Sequence, residues 1–133
     1  MLNINKLKSS STTNWVDIRN VNDVSNWSAQ YEDICLQHKI NKKWILLIDP
    51  EDQSIEQLSK AHHIDTSKIL KVNSHKGKVN IKNLGAALSK GNCSAIILSN
   101  PQLEENELQT LRHFAALGQT ACIVLRPASQ KLH

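Results

Sequence analysis

The chain has few rings. Its 133 residues hold three tryptophans, one tyrosine and one phenylalanine, 4% of the total, so a core has to be packed from Ile, Leu, Val and Ala. Long apolar runs are also missing. None approaches the roughly 18 residues of a membrane-spanning helix, and no membrane partner is expected. The opening MLNINKLKSSSTTN has two lysines but no apolar stretch and no small-residue cleavage site, which does not read as a secretory signal. Cys35, Cys93 and Cys122 are an odd set at wide spacing without a C-x-x-C pair. That pattern excludes a disulfide framework and reads as reduced, buried thiols of a cytoplasmic protein. Acid is absent from one stretch: Thr66 to Leu103 carries six lysines and no Asp or Glu. Asp49, Glu51, Asp52 and Glu56 precede it, and Glu104, Glu105 and Glu107 follow. With a net charge of +4, such a basic middle suits a solvated face or an acidic partner.

What is present is a regular alternation. Residues 1–13 are polar, Ser/Thr-rich and expected to be flexible. Residues 14–127 read as a single domain, and 128–133 as a short tail. Trp15 to Val21 gives a weak edge-strand signal. Trp27, Tyr31, Ile34, Cys35 and His38 recur at helical spacing, which predicts an amphipathic helix over 25–39. WILLI (44–48), KILKV (68–72), AIIL (95–98) and ACIVL (121–125) are apolar runs of strand length. Between them lie a helix opened by an S-x-x-Q capping box at Ser54 and Gln57, a helix near 80–90 with Ile81, Leu84 and Leu88 on one face, and a helix with Leu108, Leu111 and Ala115 inward, ended by Gly118. Strands buried on both faces and alternating with helices predict an α/β fold, a mostly parallel sheet with helices on each side.

The stretch LSKGNCSAIIL (88–98) raises the question of a phosphate cradle. Such a cradle follows a strand and opens a helix, where free N–H groups and the helix dipole meet the anion. Gly91 does the reverse: it follows a helix and precedes a strand, the place of a left-handed C-cap. The junction after WILLI reads DPEDQS, with three carboxylates and neither glycine nor lysine, and G-x-x-x-x-G-K-[ST] is absent from the chain. No nucleotide loop is expected, and no cofactor. Asp49, Glu51 and Asp52 stand where a hydrolase would place acid/base or Mg²⁺ groups; we read them as loop acids serving the next helix. His62 and His63 adjoin on a helix and point apart, while His38, His75 and His113 lack a spaced Cys or His partner, so no metal site is expected. A nucleophile at Cys93 has no local base. The loop His75 to Lys78 has charge for phosphate but no stacking aromatics, and nucleic acid is not the expected partner.

The pieces KWILLIDPE, TSKILKVN, ALSKGNCSAIIL, LEENEL and IVLRP stand in one order and spacing. The most specific is the AL-x-x-GN-x-S turn from Ala87 to Ser94, joined to Arg126-Pro127. In this order, from Lys43 to Pro127, the chain resembles the SulA family of SOS-induced inhibitors of cell division, with what looks like a one-residue deletion near Pro101. The resemblance implies a RecA-like core lacking its P-loop and a non-enzymatic role. That role is binding FtsZ, blocking its polymerisation into the septal ring, and so lowering its GTPase activity by stoichiometric sequestration. It also implies a homodimer, and degradation by Lon protease through a tail ending in histidine, here His133. Residue by residue, the partner-binding positions fall on Lys43, where the family tends to have arginine, on Ile48, on Leu58, where it often has an aromatic, and on Lys68. Ile48 and Leu58 equally fit the core pattern. The alternative is a RecA-like accessory protein of translesion DNA synthesis that contacts a polymerase or DNA.

Overall fold

Which face of the sheet each strand residue takes is decided by alternation, and every element can be read from it. The computed structural model describes residues 14–21, 24–38, 43–60, 66–74 and 79–127. Five strands form: β1 (Val16–Val21), β2 (Trp44–Ile48), β3 (Ile69–Val72), β4 (Cys93–Ser99) and β5 (Ala121–Pro127). They pair in the order β1-β5-β4-β2-β3, all parallel. The helices are α1 (Val24–His38), α2 (Asp52–Ser59), α3 (Ile81–Lys90) and α4 (Glu105–Gly118), with a 3-10 turn at Thr66–Lys68 before β3. The weak strand signal at Trp15 to Val21 corresponds to a full edge strand paired with β5.

Two cores sandwich the sheet. On one face Trp27, Tyr31, Ile34 and Cys35 of α1 and Leu58 of α2 pack on Ile45, Leu47, Ala95, Ile97, Ile123 and Leu125. On the other, Leu84 and Leu88 of α3 and Leu108, Leu111 and Ala115 of α4 pack on Ile48, Ile96, Leu98, Cys122 and Val124. Each such aliphatic side chain, taken fully out of water, contributes about 2 kcal/mol. β4, the middle strand, is buried along all seven residues.

β4 is also out of step. Trp44 pairs with Cys93 but Ile45 pairs with Ala95, which leaves Ser94 as a bulge. Bulges are rare between parallel strands. The extra residue puts Cys93 on the same side as Ile96 and Leu98 although the count between them is odd. The turn before it is built as its glycine requires: Gly91 caps α3 at φ 72°, and Trp44 N–H donates to Asn92 O at 3.3 Å.

Two helix boundaries differ from the sequence expectation. Ser54 does not cap α2. Its N-cap is Glu51, whose carboxylate accepts from Gln53 N (3.3 Å), Ser54 N (2.8 Å) and Ser54 Oγ (2.6 Å). The carboxylate reaches two of the free N–H groups of the first turn, so the helix starts earlier and Ser54 is buried inside it. Gly118 is the last helical residue of α4, and Gln119 takes the left-handed cap at φ 51°. The glycine is there for space. A Cβ on it would lie 1.7 Å from Leu88 O of α3, a carbonyl that also accepts from Thr120 Oγ1 at 3.0 Å.

Candidate functional site

In a parallel sheet ligands gather at the carboxyl ends of strands whose connections diverge. Here those are β2, which leads through α2 on one face, and β4, which leads through α4 on the other. Asp49 and Asn100 end these strands with left-handed backbones at φ 52° and 51°, and a cavity of about 400 Å³ lies between them, lined by Trp27, Asp49, Glu51, Ser99, Asn100 and Pro127. Its polar groups are tied into the fold. Asp49 accepts from Ser74 N at 2.7 Å and from Ser74 Oγ, anchoring the chain that leaves β3. Tyr31 OH lies 2.7 Å from Ser99 Oγ and accepts from Glu51 N at 3.0 Å, joining α1, β4 and the start of α2. Asp52 lies 3.5 Å from Lys71 Nζ.

Glu51 is held below its ordinary value, first by the Ser54 hydroxyl and then by the Ser54 and Gln53 N–H groups. It therefore stays charged as a helix cap. The junction offers fixed carboxylates to anything that enters, the opposite of a phosphate cradle. Among the described residues no group of three His, Cys, Asp or Glu side chains stands close enough to hold a metal. Burial pushes the Cys35 thiol to about 11 and Cys122 to about 12, and it raises Cys93 as well. These thiols are protonated core groups.

A second surface lies at the opposite margin from β1. On the α3/α4 face, the helices stop short of β3. Leu70 and Val72 are 43% and 40% exposed there, beside the half-buried Trp44 and Leu46 of β2. Lys68 enters the strand with its Nζ 4.6 Å above the centre of the Trp44 ring. A cation over an indole near the surface contributes about 0.5–1 kcal/mol, a bias of the ammonium toward this position. Lys43 is exposed and immediately precedes that tryptophan. The margin is thus a short apolar strip with a fixed positive charge at its entrance. It can bind a protein surface of apolar and acidic character.

The positions expected from the sequence separate on this structure. Lys43 and Lys68 flank Trp44 on the open margin. Ile48 points to the same face and pairs in register with Val72, but it is only 7% exposed and packs in the α3/α4 core. Leu58 lies on the other face, 3% exposed in the core beneath α2. There it borders a cavity of about 170 Å³ with Leu47, Ile55, Thr66, Ile69 and Lys71. His133, His62, His63 and the loop from His75 to Lys78 lie outside the described residues.

Trp44, Leu70 and Val72 escaped the sequence reading, which took KILKV as a buried strand. The signal was available: lysine at 68 and at 71 points to opposite faces of a strand, and a strand with lysine on both faces sits at an edge. The lysine-rich stretch is correspondingly divided. Lys68, at the end of the 3-10 turn over Trp44, and Lys71 of β3, beside Asp52, lie on opposite faces of the sheet, while Lys82 and Lys90 lie on α3, so these four do not form one stripe for a nucleic-acid backbone.

No protein-family model matches the chain, and none of the curated proteins does. Among solved structures, the crystal structure of SulA from Pseudomonas aeruginosa is similar to it with a TM-score of 0.58. The likeness covers 86% of this chain and 98% of that one at 15% sequence identity, which makes it a likeness of fold.

Proposed function

We propose that this chain is a SulA-like inhibitor of bacterial cell division that binds FtsZ and removes it from assembly. The observation that carries the reading is the extent of the fold likeness, which leaves almost none of the SulA chain unmatched. The ordered pieces from KWILLIDPE to IVLRP support it independently. The physics suits a protein with a docking margin and, among the described residues, no catalytic constellation. A head-to-tail filament grows only while both ends of each subunit are free, so covering one end withdraws the subunit. Inhibition is then stoichiometric, and GTP hydrolysis falls because FtsZ completes its active site between subunits. Lys68, held on Trp44, and Lys43 are the residues we assign to the contact. Ile48 stands beside Val72 in register on the neighbouring strand, and Leu58 acts through the packing of α2. A cytoplasmic setting, SOS induction and turnover by Lon through His133 belong to the same reading.

The test is polymerisation of a host-matched FtsZ with GTP, followed by light scattering and sedimentation while the protein is titrated in. We expect polymer to disappear near an equimolar ratio, and Lys68→Glu to weaken binding about tenfold, the equivalent of roughly 1.4 kcal/mol, so that the end point moves to more protein. Unchanged polymer at saturating protein overturns the proposal.

A further inference from the structure

One hydroxyl hydrogen at the carboxyl ends of the strands is left over. Glu51 N–H donates to Tyr31 OH at 3.0 Å, and Tyr31 OH lies 2.7 Å from Ser99 Oγ. Two hydroxyls carry two hydrogens, and only one lies between the oxygens. The other has no acceptor among the described residues. Tyr31 is fully buried, whereas Ser99, 8% exposed, lines the cavity of about 400 Å³. With Tyr31 donating to Ser99 Oγ, the Ser99 O–H becomes the free donor and turns to the cavity. The other walls are aromatic and anionic. Trp27, Asp49, Glu51 and Asn100 contribute, and none of the lining residues is basic. A carboxylate offers about four acceptor positions. Asp49 gives two to Ser74 and Glu51 gives three to Gln53 and Ser54, so both keep capacity. The nearby cations of the described chain point elsewhere. Lys71 lies beside Asp52, and Arg126 follows Leu125 of the α1/α2 core, so alternation turns it to the opposite face.

We propose that this cavity takes the guanidinium of an arginine in a partner polypeptide, with the main-chain carbonyl of that arginine accepting from Ser99. The volume falls within the range of small-ligand clefts, roughly 300–1,000 Å³. Each wall selects against an alternative. Two fixed carboxylates repel phosphate and favour a cation. The indole favours a guanidinium over an ammonium, because the planar group is weakly hydrated, stacks on aromatic faces and spreads its donors over two carboxylates at once. The Ser99 donor asks for an acceptor oxygen that a bare amine lacks. A free amino acid would supply that oxygen as a third carboxylate beside Asp49 and Glu51, whereas an arginine within a chain supplies it as a neutral carbonyl. The cavity sits between the ends of β2 and β4, apart from the Lys68 and Trp44 margin. The inference does not rest on the FtsZ reading and is measured without FtsZ.

The test is a titration of the full, isotope-labelled chain with N-acetyl-arginine amide at low salt, followed by NMR. Saturable shifts at the Trp27 indole and at Asn100 are expected, with a dissociation constant on the order of 1 mM, as suits a single residue. N-acetyl-citrulline amide, which has nearly the same shape without the charge, should bind about tenfold more weakly or worse. Asp49→Asn and Glu51→Gln keep acceptor oxygens for Ser74 and for the first turn of α2, and each should weaken binding about tenfold. Equal binding of the citrulline compound overturns the proposal, as does unchanged affinity in both variants. Shifts that gather at Trp44 instead, or no saturable shift well above the expected constant, overturn it too. Free arginine binding more tightly than the blocked form overturns the polypeptide as occupant. Circular dichroism checks that the variants fold; if they do not, the arginine and citrulline pair on wild type decides alone.

Discussion

His38 closes α1 with its ring half-buried, and its Nδ1 has no hydrogen-bond partner among the described residues. Burial first, and the nearby Arg19 charge second, lower its pKa from 6.5. Arg19 is itself held by Asp17 at 2.7 Å, Gln30 at 2.8 Å and Asp33 at 3.4 Å, so it cannot swing away when the histidine charges. A histidine whose folded pKa is depressed favours folding fully above its unfolded value, and that contribution is lost as pH falls through the folded value. We expect the urea midpoint of wild type to drop between about pH 7.5 and about pH 5.5, and His38→Gln to remove most of that drop. An equal drop in the variant would place the proton elsewhere. Helical spacing placed His38 on the inward stripe of α1, but the charge of Arg19 that reaches it from β1 was not legible, because it depends on which elements meet.

At the scale of elements, α3 and α4 touch because two glycines let them. A Cβ at Gly85 would lie 2.7 Å from the Phe114 ring, which can turn. At Gly118 it would lie within bonding distance of a main-chain oxygen, which cannot. Gly118→Ala should therefore cost about 3 kcal/mol or more, at the upper end of overpacking penalties, and Gly85→Ala clearly less. Thermal or urea unfolding of the pair measures the difference. Apolar spacing made these helices legible: Leu84 and Leu88, like Leu108, Leu111 and Ala115, recur as an inward stripe must. Close approach was not legible. A glycine at a helix end reads as a cap, and only the neighbouring helix shows that at 118 it is clearance. The start of α2 was missed for a similar reason, since a glutamate is a less usual cap than the serine three residues later.

The two margins of the sheet differ in balance. The β1 edge carries Asp17, Arg19 and Asn20 with one exposed aliphatic, Ile18; the β3 edge carries Leu70 and Val72 with Lys71. Parallel topology was readable because four apolar runs alternate with helical periods, while strand order was not, since it depends on long-range pairing that leaves no local mark. For the same reason Lys68 could be named but its seat over the Trp44 ring could not. The Ser94 bulge belongs to this scale, because it joins the turn after α3 to everything beyond it. Replacing Ser94 by Ala keeps the extra residue and removes a buried hydroxyl without a partner, so stability should hold or rise by up to about 1 kcal/mol. Deleting it brings Cys93 and Ala95 together on opposite faces, as regular alternation requires, so the chain should still fold, read as a retained cooperative unfolding transition. The central strand is a reading frame in three dimensions. A residue gained or lost in the loops changes only their length, and one lost at Ser94 only restores regular alternation, whereas one lost between Ile96 and Leu98 would force one end of the central strand to exchange the two cores, turning part of the molecule inside out.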